Sequence, residues 1–315
     1  MPPARVLAVG DAIVDVVTAP LPALRARDVQ LEVPEHAVVP GGNATNFALG
    51  AAALGSSVAF VGSIGADPFA EVVRGAFLEA GVSARLRVDR RRPTGMTVAV
   101  TWSRGGRSLI TAVGANAGLR ETDVPAPWVA RAEHVHRAGF WWTPGFRGAP
   151  TARLLARARR AGATTSLDVS TDPQGWAPSR VATVRRCLPH VTTFLGNAVE
   201  IQAIAGIART SDAARELCRL GAEETVVHRG GNGSMYITQD EALSSPAFRV
   251  RVDNPTGCGD VFNAGFVHAR LSGLDVREAL AFANACGAIH LRDRKHPYPS
   301  AAAVRRFLRR HRRRP

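Results

Sequence analysis

The sequence predicts an α/β protein built on a mostly parallel sheet with helices over both faces. Three observations carry this prediction. From His134 onward, short apolar strands alternate with helical segments, the pattern of parallel strands joined by crossover helices. Near the N-terminus, Val6-Leu7-Ala8-Val9 supplies a further strand. The helix predicted over residues 44–54 is almost wholly apolar, so it is read as buried. A chain of 315 residues is long enough for one large α/β domain or for two domains.

The elements follow in order. A strand covers residues 5–10. Residues 15–40, rich in valine and proline, read as strands and loops outside the main sheet. Gly41-Gly42 leads into the helix at 44–54, then a strand at 57–61 and an amphipathic helix at 68–80. Strands at 96–102 and 108–111 flank Ser103-Arg104-Gly105-Gly106-Arg107, a hairpin signal. The regular part gives strand 134–138, helix 150–161, strand 164–168, a helix near 180–187 and strand 191–195. Helices at 198–205 and 212–220, strand 224–228 and the turn Gly230-Gly231-Asn232-Gly233 come next. Helices at 261–271, 276–291 and 300–308 complete the chain. Ligands of such sheets bind beyond the carboxyl ends of the strands, and Asp168, Asn197 and Gly230 fall on that edge.

Composition excludes several classes. Hydrophobic residues make up 46% and charged residues 21% of the chain, as in an ordinary soluble globular protein. No apolar run approaches a membrane span, and Met1-Pro2-Pro3-Ala4-Arg5 does not have the layout of a signal peptide. The four cysteines, Cys187, Cys218, Cys258 and Cys286, show no metal-ligand spacing. They fit a reducing, cytoplasmic compartment. The net charge is +14 with a single lysine, Lys295, a skew that reads as codon bias. A P-loop and a protein-kinase fold each need a lysine in a motif that is absent here. A Schiff-base enzyme would have to use Lys295 in a polar segment. Phosphate chemistry in this chain must therefore use backbone amides, arginine and a metal. The basic end, residues 305–314, reads as a helix fraying into a solvated tail. Contact with nucleic acid or acidic lipid is the competing reading.

The chemistry is concentrated in Asn254-Pro255-Thr256-Gly257-Cys258-Gly259-Asp260. Gly257 and Gly259 allow a tight turn that exposes backbone N–H groups. The helix that follows adds unpaired donors and the positive end of its dipole. Together they make a pocket for an anion such as a phosphoryl group. Asp260 beside it suits a general base that takes the proton of an attacking alcohol.

Other segments carry two readings each. Gly41-Gly42-Asn43-Ala44-Thr45-Asn46 is a turn with Asn43 as helix cap, or a site where Asn46 meets a sugar hydroxyl. Of Asp11 and Asp15, one is free to cap or to face solvent, while a carboxylate at this edge can accept from a pair of hydroxyls. Asn197-Ala198-Val199-Glu200 is an N-cap with its N3 glutamate, or a magnesium–water site. Gly114-Ala115-Asn116-Ala117-Gly118 reads as a turn, and Trp141-Trp142 as a stacking platform or as core.

Together these segments resemble the ribokinase-like, or PfkB, carbohydrate kinase family. Residues 41–48, with Gly55 and Gly65 following, resemble its N-terminal signature, and residues 254–260 its C-terminal one. Asn197-Ala198-Val199-Glu200 stands where the family keeps Asn-x-x-Glu, and Gly114-Ala115-Asn116-Ala117 and Gly230-Gly231-Asn232-Gly233 match equivalent loops. The resemblance spans the chain except its tail. It implies one ribokinase-like domain over residues 1–315, a three-layer α/β/α sandwich with a mostly parallel central sheet. A small β lid would come from about 16–39 and 96–112, and a basic tail from 305–315.

The same resemblance implies a kinase that uses ATP and Mg²⁺ on a hydroxyl, usually a hydroxymethyl, of a sugar or sugar derivative. By carry-over, Asp260 is the catalytic base, and the amides of Gly257, Cys258 and Gly259 form the anion hole. Asp15, Gly42 and Asn46 hold the acceptor. Asn197 and Glu200 organise magnesium and phosphate, Glu200 through water. Gly230 and Asn284 lie near the nucleotide. Many members also bind K⁺ through the loop before the anion hole. Three residues depart from the pattern. Asn254 stands where many members have aspartate, which weakens the K⁺ inference. Asn43 stands where ribokinases proper usually have lysine, and His228 replaces the residue that commonly precedes the nucleotide loop. A nucleoside kinase is the alternative within the family. A catalytically silent regulator with its tail on nucleic acid is the alternative outside the enzymes. Expected partners are a small sugar or nucleoside and, through the lid, a second copy of the chain; neither a membrane nor nucleic acid is expected.

Overall fold

The apolar run at the N-terminus forms β1 (Val6–Val9), inside a nine-stranded sheet. Val6 and Ala8 enter the core on one side of the sheet, Leu7 and Val9 the core on the other. A strand buried on both faces must be apolar throughout. The computed structural model describes residues 4–19, 21, 30, 32–102, 107–253, 255–293 and 297–312.

The other strands are β2 (Ile13–Thr18), β3 (His36–Gly41), β4 (Val58–Gly65), β5 (Ser83–Asp89), β6 (Gly95–Thr101), β7 (Arg107–Ala112), β8 (His134–Arg137), β9 (Thr164–Asp168), β10 (Thr193–Asn197), β11 (Glu224–His228), β12 (Ser234–Ile237) and β13 (Ala242–Ser245). The helices are α1 (Asn43–Ala53), α2 (Pro68–Glu79), α3 (Ala126–Arg131), α4 (Ala149–Arg160), α5 (Pro178–Arg185), α6 (Ala198–Ala205), α7 (Thr210–Arg219), α8 (Cys258–Leu271), α9 (Val276–His290) and α10 (Ala301–Arg312). The main sheet runs β13-β12-β11-β10-β9-β8-β1-β4-β5. It is parallel from β11 to β5, with the β12–β13 hairpin antiparallel at one edge. Phe47 of α1, Phe77 of α2, Phe266 of α8, Leu280 of α9 and Val304 of α10 share one core. Val129 of α3, Leu154 and Leu155 of α4, Val184 of α5, Ile201 of α6 and Leu217 of α7 fill the other side. The three layers expected from the sequence are thus present.

A second sheet, β3-β2-β6-β7, stands apart from the first. It is built from the segments expected to lie outside the main sheet. Strands β6 and β7 pair antiparallel as the hairpin signal requires; the turn at 103–106 lies outside the described residues.

Several elements differ from the sequence expectation. Strand β5 is a mostly exposed edge strand with arginines at 85 and 87, so it lacks the apolar face that betrays a strand. The hairpin β12–β13 and the short helix α3 were also unmarked by periodicity. Helix α8 starts at Cys258, three residues before the expected Val261, because Gly257 takes a left-handed φ of 80° and turns the chain straight into it. The basic end is a correction to the expected fraying after Leu308, since α10 continues to Arg312. Phe307 is buried edge-on to Phe248 at 5.0 Å, and His311 stacks on Phe307 at 4.1 Å. Arg305, Arg306, Arg309 and Arg310 take the exposed face. Residues 313–315 of the expected tail, and Lys295, lie outside the described residues. No described helix is long and apolar enough to cross a membrane.

Candidate active site

A cavity of about 780 Å³ is lined by residues from the carboxyl-terminal ends of the parallel strands, from the small sheet and from the first turns of α1 and α8. Asp260 lies in the first turn of α8 and is buried. Its Oδ1 accepts from the Asn43 side-chain amide and its Oδ2 from that of Asn46, both at 3.1 Å. Burial, then the charge of Asp168, pushes its pKa well above the carboxylate range, against the pull of the two amides. Tyr298 donates to Asn46 Oδ1 at 2.9 Å, which fixes the amide so that its NH₂ faces Asp260. Asn43 is therefore not the helix cap. Gly42, at φ 100°, holds that position, and Asn43 reaches across to α8.

The cap of α1 is Asp11, supplied from the end of β1. Its carboxylate accepts from the backbone N–H of Asn43 at 3.1 Å and of Ala44 at 2.9 Å. Burial raises the Asp11 pKa; these bonds and the buried guanidinium of Arg137 lower it. Asp15, on β2, lines the cavity beside Asp11 and caps no helix. Burial, then the charge of Asp11, pushes it up to about 7, while Arg107 acts to lower it. Asn116, in the small-residue loop, is fully buried and clasps the backbone of Ala12 with bonds of 2.9 and 2.8 Å. That loop is more than a turn: it pins the corner between Asp11 and Asp15.

At the start of α8, Val261 N–H closes the first helical turn on Gly257 O at 3.0 Å. The N–H groups before it lack helical acceptors and border the cavity along Gly257, Cys258 and Gly259; that of Cys258 makes only a long bond of 3.5 Å to Pro255 O. Burial, with the charge of Asp260, pushes the Cys258 thiol up to about 11, so its side chain is a poor nucleophile near neutral pH. Asn254, on which the K⁺ inference turns, lies outside the described residues.

The other half of the cavity holds Asn197, Glu200, Asp168, His228, Gly230 and Asn284. Asn197 and Glu200 form a reciprocal capping box on α6. Glu200 Oε1 also takes the Thr171 hydroxyl at 2.9 Å. Burial, then the charge of Asp168, pushes Glu200 up to about 7. Two buried carboxylates, one of which disfavours ionisation of the other, suit a magnesium ion that keeps its waters. Among the described residues no group of three or more His, Cys, Asp or Glu is placed to hold a bare metal ion. Asn263, on α8, donates to Asp168 at 2.6 Å and faces His228 Nε2 at 2.8 Å, a buried chain that no local motif announced. Asn284 donates to the Ser245 hydroxyl at 3.1 Å and to the Pro246 carbonyl at 3.2 Å, which ties α9 to the chain beyond β13. The tryptophans divide. Trp141 is core, edge-on to Phe140 and under the Arg180 guanidinium, whereas Trp142 lines the cavity.

The structure thus gathers Asp260, Gly257, Cys258, Gly259, Asp15, Gly42, Asn46, Asn197, Glu200, Gly230 and Asn284 around one cavity. It adds Asn43, Tyr298, Asn116, Asn263 and Arg107. A family model described as pfkB family carbohydrate kinase matches residues 3–299. An aminoimidazole riboside kinase of Salmonella typhimurium is 28% identical over 263 residues, 79% of this chain and 81% of that one. An ATP-dependent ribose-1-phosphate kinase of Halopiger xanaduensis is 27% identical over 319 residues, 96% of this chain and 98% of that one. The structure of Arabidopsis thaliana ribokinase complexed with ribose and ATP superposes with a TM-score of 0.80 at 22% identity, covering 97% of this chain and 98% of that one.

Proposed function

The chain belongs to the pfkB family of carbohydrate kinases, and on that premise we propose that it transfers the γ-phosphoryl group of ATP to a hydroxymethyl group of a sugar or sugar derivative. The observation that carries this reading is Asp260, held by Asn43 and Asn46 beside the N-terminal turn of α8. Each Asp260 oxygen keeps a lone pair for a substrate hydroxyl. The burial that raises its pKa makes its ionised form the stronger base. The acceptor oxygen forms a bond to the γ-phosphorus as the bond from that phosphorus to ADP breaks, its electron pair leaving with ADP. The hydroxyl proton passes to Asp260. The amides of Gly257, Cys258 and Gly259 meet the charge on the transferred group.

Asp15 and Gly42 hold the acceptor. Asn46 serves it by orienting Asp260, since its own amide is engaged. Asn197, Glu200, Gly230 and Asn284 border the nucleotide. Glu200 and Asp168 would hold magnesium through water, and the ion would supply charge neutralisation at the phosphates. The small sheet acts as a lid. Val38, Val39 and Ile110 are exposed on it, and two such lids covering each other would make a homodimer. All four cysteines are free, which suits the reducing cytoplasm where ATP is available.

A nucleoside acceptor is the second reading. Trp142 lines the cavity, an aromatic ring of the kind on which a base stacks, and a riboside kinase is among the relatives. An ADP-release screen over pentoses, hexoses, sugar acids, sugar phosphates and nucleosides tests both. Turnover with one of these classes is expected, and no acceptor-dependent ADP release from folded protein would contradict the proposal.

A further inference from the structure

Arg107 is a cation that the chemistry above does not use. Resting on the kinase reading, we propose that it forms an anion subsite and that the acceptor is a sugar derivative bearing a carboxylate or a phosphate. Arg107, Leu109 and Thr111 alternate along β7, and all three line the cavity. The period of two puts them on the inner face of the small sheet. Arg107 sits exposed at the mouth, and the carboxylates of Asp260 and Asp15 attract it. Among the described residues its guanidinium makes no hydrogen bond or ion pair with them or with any other group. A gap therefore separates the guanidinium from the proposed base, and the gap is where an acceptor would lie.

Hydroxyls alone do not require this charge, because Asp15 already offers them acceptors. A guanidinium presents paired donors that match two oxygens of a carboxylate or phosphate. The other arginine lining the cavity, Arg249, belongs to the segment of Ala247 and Phe248 that follows β13, on the nucleotide side. Arg107 is thus the one described arginine or lysine of the acceptor half. Asp15, pushed up to about 7, is not a full negative charge near neutral pH and offers little repulsion to such a ligand. An acceptor with its hydroxymethyl at Asp260 and its anionic group at Arg107 spans the site.

The test uses steady-state assays of the full chain with matched sets: a neutral sugar, its sugar acid, and its monophosphate with a free hydroxymethyl group. The wild type is expected to favour one anionic member over the neutral one by at least about tenfold in kcat/KM, and the two anionic arms tell a carboxylate subsite from a phosphate one. Arg107→Leu should reduce the anionic-to-neutral ratio by about 10- to 100-fold, the scale of a charged hydrogen bond. Arg107→Lys should restore part of it. A wild type that favours the neutral sugars overturns the inference without touching the kinase reading. So does an Arg107→Leu variant that slows every arm equally, which would put Arg107 on the transferred phosphate. Absence of turnover in all arms would defeat the kinase reading and this inference with it.

Discussion

Asp15 is buried on β2 with its pKa pushed up to about 7. Folding therefore opposes its ionisation. The stability associated with the protonated group is full below the unfolded value and is lost as the pH rises through about 7. Asp15→Asn cannot ionise, so the unliganded variant should gain up to about 4 kcal/mol over wild type near pH 8 and almost nothing near pH 4. Thermal melts at both pH values check this; an equal gain at both would rule out charge as the cause. Tyr298→Phe removes the donor that orients Asn46. Its amide can then flip and turn oxygen toward Asp260, so kcat should fall about tenfold with little change in the KM for ATP. An unchanged kcat would show that Asn46 needs no such brace. At this scale the sequence was readable where chemistry is local. Gly257 to Asp260 form one uninterrupted motif. The contact of Asn43 with Asp260 joins residues 217 apart, and that of Tyr298 with Asn46 joins residues 252 apart. Such pairs leave no signal in a single sequence, which is why Asn43 read as a cap.

Helix α10 shows how burial decides the meaning of a basic segment. Its arginines alone read as a solvated tail, but the intervening Val304, Phe307 and His311 follow a helical period and pack inward. A cut after Phe307 removes His311 from Phe307 and Phe248, and Phe248 lines the cavity. That truncation should cost about 2 kcal/mol of stability, whereas a cut after Arg312 should cost nothing measurable. Melting temperatures of the two truncations separate these outcomes; equal values would return α10 to the status of a tail. The regular strand–helix alternation was legible from His134 onward because its strands are apolar runs bounded by turns. Strand β5 was not, because an edge strand has one neighbour and can carry Arg85 and Arg87 without an apolar face. The small sheet has the reverse problem: it leaves the apolar Val38, Val39 and Ile110 exposed. Light scattering at micromolar concentration should report a dimer, and Ile110→Asp should shift it to monomer. A wild type that is only monomeric would leave this face without the proposed partner.

Over the whole molecule, the two helical layers and the nine-stranded sheet serve to bring two helix starts together. The first turn of α1 carries Asn43 and Asn46, and the first turn of α8 carries Asp260 and the turn beside it. The main-sheet strands contribute Asn197 and His228 from their ends, and the small sheet contributes Asp15 and Arg107. Order along the chain was enough to predict the layers, since alternating strands and helices have few other ways to pack. The residues alone could not say which of Asp11 and Asp15 caps a helix, because that depends on where α1 meets the chain beyond β1. The central claim is that Asp260 takes the proton of the acceptor. The most direct test measures ADP release by Asp260→Asn with the best acceptor of the wild type, alongside calorimetric binding of ATP. A kcat reduced by about 10²- to 10⁴-fold with ATP affinity retained is expected. Turnover near that of the wild type, with ATP still bound, would contradict it.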